Sequence, residues 1–274
     1  MSIFDSDFVD VRNLTVSLPS GRHGVAHILQ GFDMKVGRGE ACCLVGPSGC
    51  GKTTFLYALA GILRPTCGRI VVDGVPVSQR RKKTAVILQD YGLLPWKTVA
   101  QNVALGLKLR GVSRVDADDR VAEMLHLVGL TGFRHRYPHQ LSGGQQQRVA
   151  IARALVVEPD LLLMDEPFAA LDVLTRESLQ DLFITLWRKY QLTVVFVTHN
   201  IDEACFLGQK IAVLSKVPSS IATLLDNPHA GDRAFRQSAD FYRQCVEVRE
   251  ALEVSCGVAN TQLEEEISCA EAIV

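Results

Sequence analysis

Residues 46 to 53 read GPSGCGKT, and the stretches on either side leave little freedom for the fold. The run ACCLV before it is apolar and short enough for a buried strand, and TTFLYALAGIL after it carries apolar residues at helical spacing. A GxxxxGK[ST] pattern between a strand and a helix predicts a loop whose backbone N–H groups wrap phosphate while the helix aims its positive end at them. In this reading Gly46, Pro47, Ser48, Gly49, Cys50 and Gly51 form the cradle. Lys52 supplies a point charge, Thr53 offers a hydroxyl to magnesium, and Thr54 is the next residue beside the nucleotide.

The rest of the chain builds a sheet around that loop. Before residue 90, FVDVRNLTVSL alternates, and GRIVVDGVPV places Asp73 and Gly74 as a hairpin turn between β-branched segments, which predicts an antiparallel β platform. Apolar strands end in LLLMDE (161 to 166), TVVFVTH (193 to 199) and KIAVLS (210 to 215), with the helical TRESLQDLFITLWRKY between the first two. Buried strands alternating with helices imply a mostly parallel sheet. From about Thr98 to Val157 the pattern is helical, so a helical subdomain over about 95–157 is expected as an insertion. The expected domains are 1–225, including that insertion, and 226–274, with one amphipathic helix over roughly Arg233 to Leu252 and a disordered acidic end, LEEEISCAEAIV.

Composition narrows the function. With 47% hydrophobic and 22% charged residues and a formal net charge of -1, the chain reads as an ordinary globular protein with no basic footprint for nucleic acid. No stretch approaches the about 18 uninterrupted apolar residues of a membrane span. The acidic start MSIFDSDFVDVRN is unlike a signal peptide, so a cytoplasmic place is expected. Cys42 and Cys43 are adjacent in a strand and Cys50 lies in the phosphate loop; with no zinc-like spacing among the eight cysteines, reduced and mostly buried thiols are the expectation.

Open parallel sheets bind ligands at the carboxyl ends of their strands. Asp165, at the end of LLLMDE, is then placed to hold magnesium through water, and Glu166 to orient and deprotonate the water that attacks the γ-phosphate. The alternative is that Asp-Glu-Pro merely caps a helix. His199 ends the next strand, where a neutral imidazole could donate to a phosphate oxygen, and Gln89 ends TAVILQ, where it could touch the magnesium or its water. A second glycine-rich loop, LSGGQ, begins the helix QQQRVAIARAL. Ser142 can cap it and Gly143, Gly144 and Gln145 start it, which makes a second anion site. One nucleotide is not gripped by two such loops within one monomer. A two-fold pair of chains would bury two ATP molecules, each between GPSGCGKT of one copy and LSGGQ of the other.

GPSGCGKT, Gln89, LSGGQ, LLLMDE, the AALD of Ala169 to Asp172, and His199 stand in an order that resembles the ATP-binding subunits of ABC transporters, over roughly residues 10 to 215. The resemblance implies a P-loop NTPase (RecA-like) α/β core with a mostly parallel sheet, an antiparallel β subdomain and a helical subdomain carrying LSGGQ. It implies ATP and Mg2+ as cofactors, a homodimer in the ATP-bound state, and a place for Asp172 against the partner copy's phosphate loop. LQDYGLLPWKTVAQNVALGL and VVFVTHNIDEACFLGQKIAVLS are most similar to the nitrate, sulfonate and taurine importers. That implies transmembrane permease subunits as partners, a separate solute-binding protein, and a peripheral place on the cytoplasmic side of the inner membrane. Leu93, Leu94 and Trp96 are then permease-docking residues or, alternatively, simple core.

The sequence departs from the family in one place. NLTVSLPSGRHG offers Leu18, and His23 as a substitute, where an aromatic residue usually stacks on adenine. The competing reading is a soluble ATPase of the same family acting in nucleic-acid repair or on ribosomes. It is less consistent with the short distance between Thr53 and Leu141, which leaves no room for the long coiled coil of the repair relatives.

Overall fold

The computed structural model describes residues 7–20, 24–78 and 81–257. The chain divides into two compact units, one comprising Met1–Ser78 and Val197–Val274, the other Gln79–Phe196.

The first unit opens with β1 (Val9–Ser20) and β2 (Gly24–Val36), which pair antiparallel from Val9 opposite Val36 to Ser20 opposite Gly24. Next, β3 (Ala41–Val45) is buried at every residue and leads through the phosphate loop into α1 (Lys52–Leu59). That helix buries Phe55, Leu56, Ala58 and Leu59, and its Phe55 ring lies 4.7 Å from Phe32 of β2. Full burial of a Phe or Leu contributes about 1.5–3 kcal/mol, so this face anchors the loop to the sheet. β4 (Cys67–Val72) runs antiparallel to β1 and turns into β5 (Val75–Pro76), giving the order β2-β1-β4-β5. The turn residues Asp73 and Gly74 have φ of 53° and 73°, the two positive values that a two-residue hairpin needs and that Asp-Gly predicts.

In the second unit, β6 (Thr84–Ile87) is followed by four helices, α2 (Val99–Val103), α3 (Leu105–Leu109), α4 (Arg114–Leu127) and α5 (Gly143–Leu155). Then come β7 (Leu161–Asp165), α6 (Val173–Tyr190) and β8 (Thr193–Thr198), with the order β8-β7-β6. β6 and β7 are parallel, from Thr84 beside Leu161 to Ile87 beside Met164. An ion pair of Arg81 with Asp160 and the Asp160 N–H donating to the Lys83 carbonyl at 3.0 Å tie their starts together. Most of the helices open on a capping side chain: Thr98, Ser113, Ser142 and Asp172 each accept a backbone N–H three residues on. Such a cap contributes about 1 kcal/mol and fixes where the helix starts.

Past β8 the chain is back in the first unit. There α7 (Ile201–Leu207) precedes β9 (Lys210–Leu214), which is parallel to β3 with Cys42 beside Lys210 and Val45 beside Val213. β10 (Ile221–Asp226), a strand that the sequence reading did not contain, pairs antiparallel with β9 and gives the order β10-β9-β3. The single helix expected over Arg233 to Leu252 is two: α8 (Arg233–Arg236) and α9 (Ala239–Cys256). Ser238 breaks it, adopting an extended conformation so that its hydroxyl accepts the Phe241 N–H at 3.2 Å and caps the second helix.

Among the described residues Cys42, Cys43, Cys50, Cys205 and Cys245 are buried free thiols, Cys256 is half-buried and Cys67 is exposed. Burial pushes the Cys42 thiol up to about 12. No helix among the described residues is long and apolar enough to cross a membrane.

Candidate nucleotide site

The phosphate loop leaves β3 at Gly46 and enters α1 at Lys52. Its shape depends on missing side chains. A Cβ at Gly46 would sit 2.8 Å from Cys50 Sγ, and one at Gly51 would sit 2.7 Å from Ile28 Cγ2. Gly51, the residue before α1, has φ 93° and offers no side-chain cap, so no capping side chain stands between the start of α1 and the loop. The loop is braced from below: Ser219 is buried and its hydroxyl donates to the Cys50 carbonyl at 2.5 Å. Lys52, only 7% exposed, donates Nζ to the carbonyls of Gly46 at 2.8 Å and Pro47 at 2.9 Å. Its charge is thereby held over the loop's concave side. Burial raises the Cys50 thiol above its ordinary value, the nearby Lys52 charge opposing the shift only in part. His199 follows β8 in this same unit and is exposed.

Gln89, Asp165, Glu166, Asp172 and the LSGGQ loop belong to the second unit. Because β6 and β7 are parallel, residues just past their ends share one edge, and the Gln89 amide Nε2 donates to Glu166 Oε2 at 3.4 Å. Asp165 is the buried last residue of β7. Glu166 has φ 45°, a left-handed turn that takes its side chain off the line of the strand. The Asp-Glu-Pro sequence therefore does not cap a helix; Asp172 does, accepting the Thr175 N–H at 3.0 Å, which holds its carboxyl below the ordinary aspartate range.

Ser142 caps α5 as expected, and reciprocally. Its hydroxyl accepts the Gln145 N–H at 3.3 Å, while the Gln145 amide oxygen accepts the Ser142 N–H at 3.0 Å. Gly143 is exposed, and Gly144 is pressed against α6, where a Cβ would meet Thr175 Cγ2 at 2.4 Å.

The ABC transporter family profile matches residues 29–169. The chain belongs to the ABC transporter family. It is 45% identical over 223 residues to the taurine import ATP-binding protein TauB of Rhizobium johnstonii, covering 81% of this chain and 80% of that one. Over 212 residues it is 43% identical to the nitrate import ATP-binding protein NrtD of Synechocystis sp., covering 77% and 80%. Among solved structures, the dimeric ATP-binding cassette MJ0796 in a post-hydrolysis state with ADP and Pi superposes with a TM-score of 0.71 at 33% identity, over 80% of this chain and 98% of that one. The ABC cassette fold expected from the motif order is therefore the fold of this chain.

Within this ABC chain the phosphate loop suits a nucleoside triphosphate: its glycine cradle would be filled by any Cβ at Gly46, its helix start is uncapped, and a buried lysine lies over it. Leu18 is half-buried in β1 opposite Ala26, and His23 lies outside the described residues. Trp96 is 70% exposed, whereas Leu93 and Leu94 are half-buried. Two residues escaped the sequence reading. Asn102 in α2 is fully buried and bonds the backbone of Leu94, Lys97 and Thr98. Arg153 in α5 bonds the carbonyls of Tyr91 and Gly92. A buried Asn between helical apolar residues was the available signal for the first; nothing local marks the second.

Proposed function

We propose that this chain is the ATP-hydrolysing subunit of an importer for small oxyanionic solutes of the nitrate, sulfonate and taurine class. It works as a homodimer on the cytoplasmic face of a separate permease that receives solute from a binding protein. The observation that carries the enzymatic part is the Gln89 amide within hydrogen-bond reach of the Glu166 carboxylate at the end of a buried strand. That carboxylate is the base we assign to the attacking water, and the Gln89 amide orients it. Lys52 and the N–H groups of Gly49 to Thr53 hold the phosphates, and His199 donates to the γ-phosphate oxygen. Thr53, Asp165 and Gln89 are the residues we assign to magnesium, which neutralises charge on the β- and γ-phosphates when bound. Ser142, Gly143, Gly144, Gln145 and Asp172 act on the nucleotide held by a second copy. The likeness to the taurine and nitrate import proteins supports the solute class, and the exposed Trp96, with Leu93 and Leu94 beside it, supports a docking place for the permease.

Glu166→Gln tests the chemistry. The amide keeps the shape but cannot act as base, so ATP binding should survive while turnover falls by about a hundredfold or more. The ATP-bound variant should accumulate as a dimer on gel filtration. A variant that hydrolyses at about a tenth of the wild-type rate, or stays monomeric at saturating ATP, removes Glu166 from its role. The importer assignment is tested in vesicles containing the co-purified permease: taurine-loaded or nitrate-loaded binding protein should raise ATP hydrolysis, and no response to either rejects that solute class.

A further inference from the structure

The Gln89 segment is held by the LSGGQ helix at two points. Arg153, near the end of α5, donates Nη1 to the Gly92 carbonyl and Nη2 to the Tyr91 carbonyl, each at 2.6 Å. Both receiving residues are left-handed, with φ of 59° at Tyr91 and 58° at Gly92. A tyrosine enters that region at a cost and stays there only where its surroundings fix it. The turn closes tightly around Gln89, with the Tyr91 N–H donating to the Leu88 carbonyl at 2.9 Å and the Gly92 N–H to the Asp90 carbonyl at 2.6 Å. Gly92 is closely faced by the same residues: a Cβ would stand 3.4 Å from Arg153 Nη2 and 3.3 Å from Leu88 Cδ1, so an alanine there makes them shift by a few tenths of an ångström. At the other end of α5, a Cβ on Gly143 would meet the Tyr91 hydroxyl at 3.6 Å, so the tyrosine ring reaches the LSGGQ loop itself. Arg153 is half-buried, and that burial lowers its pKa.

We propose that Arg153 is a positioning residue: by gripping the Tyr91 and Gly92 carbonyls it locks the Leu88–Gly92 turn to the LSGGQ helix, so that Gln89 and Ser142 are carried as one body. This rests on the roles assigned above to Gln89, Glu166 and the LSGGQ loop. It separates catalysis from binding, because the Arg153 guanidinium bonds the Tyr91 and Gly92 carbonyls and is not among the residues assigned to the nucleotide.

The experiment compares the wild-type chain with Arg153→Met, which loses every donor, Arg153→Lys, which keeps the charge but not the two-nitrogen fork, Gly92→Ala, and the Arg153→Met, Gly92→Ala double variant. Misplacing a catalytic group by about 1 Å can cost about a hundredfold, so Arg153→Met should lower kcat by about ten- to a hundredfold while KM for ATP stays within about twofold. Arg153→Lys should fall between. The Gly92 change displaces the same guanidinium, so the double variant should be about as slow as the worse single one rather than slower by the product. Amide exchange in residues 88–92 should rise in Arg153→Met and remain unchanged in the phosphate loop. An active wild type with an Arg153→Met kcat within about twofold overturns the inference alone. So does a fall in kcat that tracks the melting temperature in every variant without faster exchange at 88–92. An inactive wild type overturns the assigned chemistry and the inference with it.

Discussion

The two glycine-rich loops of this chain both stand at helix starts, yet they are finished in opposite ways. The loop before α1 ends in a left-handed glycine with no capping side chain, and its lysine is buried against its own carbonyls. The loop before α5 is closed by Ser142 and Gln145, each satisfying the other's backbone N–H. A start with no capping side chain leaves the helix's positive end open to an incoming anion. A boxed start is already stable and presents only a serine hydroxyl proton and an exposed glycine backbone. In the proposed function the first loop holds phosphate by itself, and the second meets phosphate held by another copy.

The strongest way to break this division is to place the defects in chosen copies. A heterodimer of one Lys52→Ala, Ser142→Arg double variant and one wild-type copy has no intact composite site, whereas Lys52→Ala paired with Ser142→Arg keeps one. If each site draws on both copies, as proposed, the second pair should retain about half of the wild-type activity and the first almost none. Equal rates from the two pairs, measured on tagged heterodimers, would refute action across copies.

A smaller effect separates the glycines. Gly51→Ala forces a side chain into a φ of 93° and against Ile28, so unfolding should show a loss of about 1–2 kcal/mol or more, with nucleotide affinity falling alongside. Gly143→Ala finds its nearest neighbours at 3.6 Å and lies inside a helix, so its stability should hold within about 0.5 kcal/mol while ATP-driven dimerisation weakens. A Gly143→Ala protein as unstable as Gly51→Ala would erase the contrast.

In the proposed function both loops act on phosphate, and Leu18 offers no ring for adenine. Stacking on an aromatic ring contributes about 1–3 kcal/mol, so without it KM for GTP should lie within about tenfold of that for ATP, and Leu18→Tyr should lower KM for ATP. Steady-state rates with both nucleotides decide this. A strong ATP preference that survives changes at Leu18 and His23 would mean another residue reads the base.

The smallest expected effect concerns acid. The Asp172 carboxylate accepts the Thr175 N–H, and its folded-state pKa lies below the ordinary 3.8. A depressed pKa gives stability that is complete above the unfolded value and is lost as pH falls through the folded one. Asp172→Asn caps without titrating. Its melting temperature should match wild type near neutrality and decline less steeply below about pH 4.

What could be read from sequence follows the range of the interactions. The ends of β3, β7 and β8, the Asp73-Gly74 turn and the Ser142 cap all arise from residues within a few positions of one another, and the sequence displays them directly. Gln89 and Glu166 were each placed from their strand ends, but their mutual hydrogen bond depends on the parallel register of β6 and β7. β10 was missed because IATLLD is a half-buried edge strand whose pairing comes from β9 across the Val217-Pro218 bend. Arg153 was missed for a plainer reason. Its partners lie 61 and 62 residues away, and an arginine near the end of an amphipathic helix looks like any solvated charge.

The distribution of cysteines has a practical result for anyone who wants to watch the subunit work. Cys67 opens β4 at the surface and Cys256 is half-buried, while the other described thiols are enclosed. A maleimide dye reacts with accessible thiolate, so among the described residues it would mark Cys67 and, less readily, Cys256. With Cys269, outside the described residues, and Cys256 both replaced by serine, Cys67 is the one exposed thiol among the described residues and a handle on the β platform. Cys42 and Cys43 in β3 and Cys50 in the phosphate loop then need no change, and the fluorophore reports on a subunit whose nucleotide loop is the natural one.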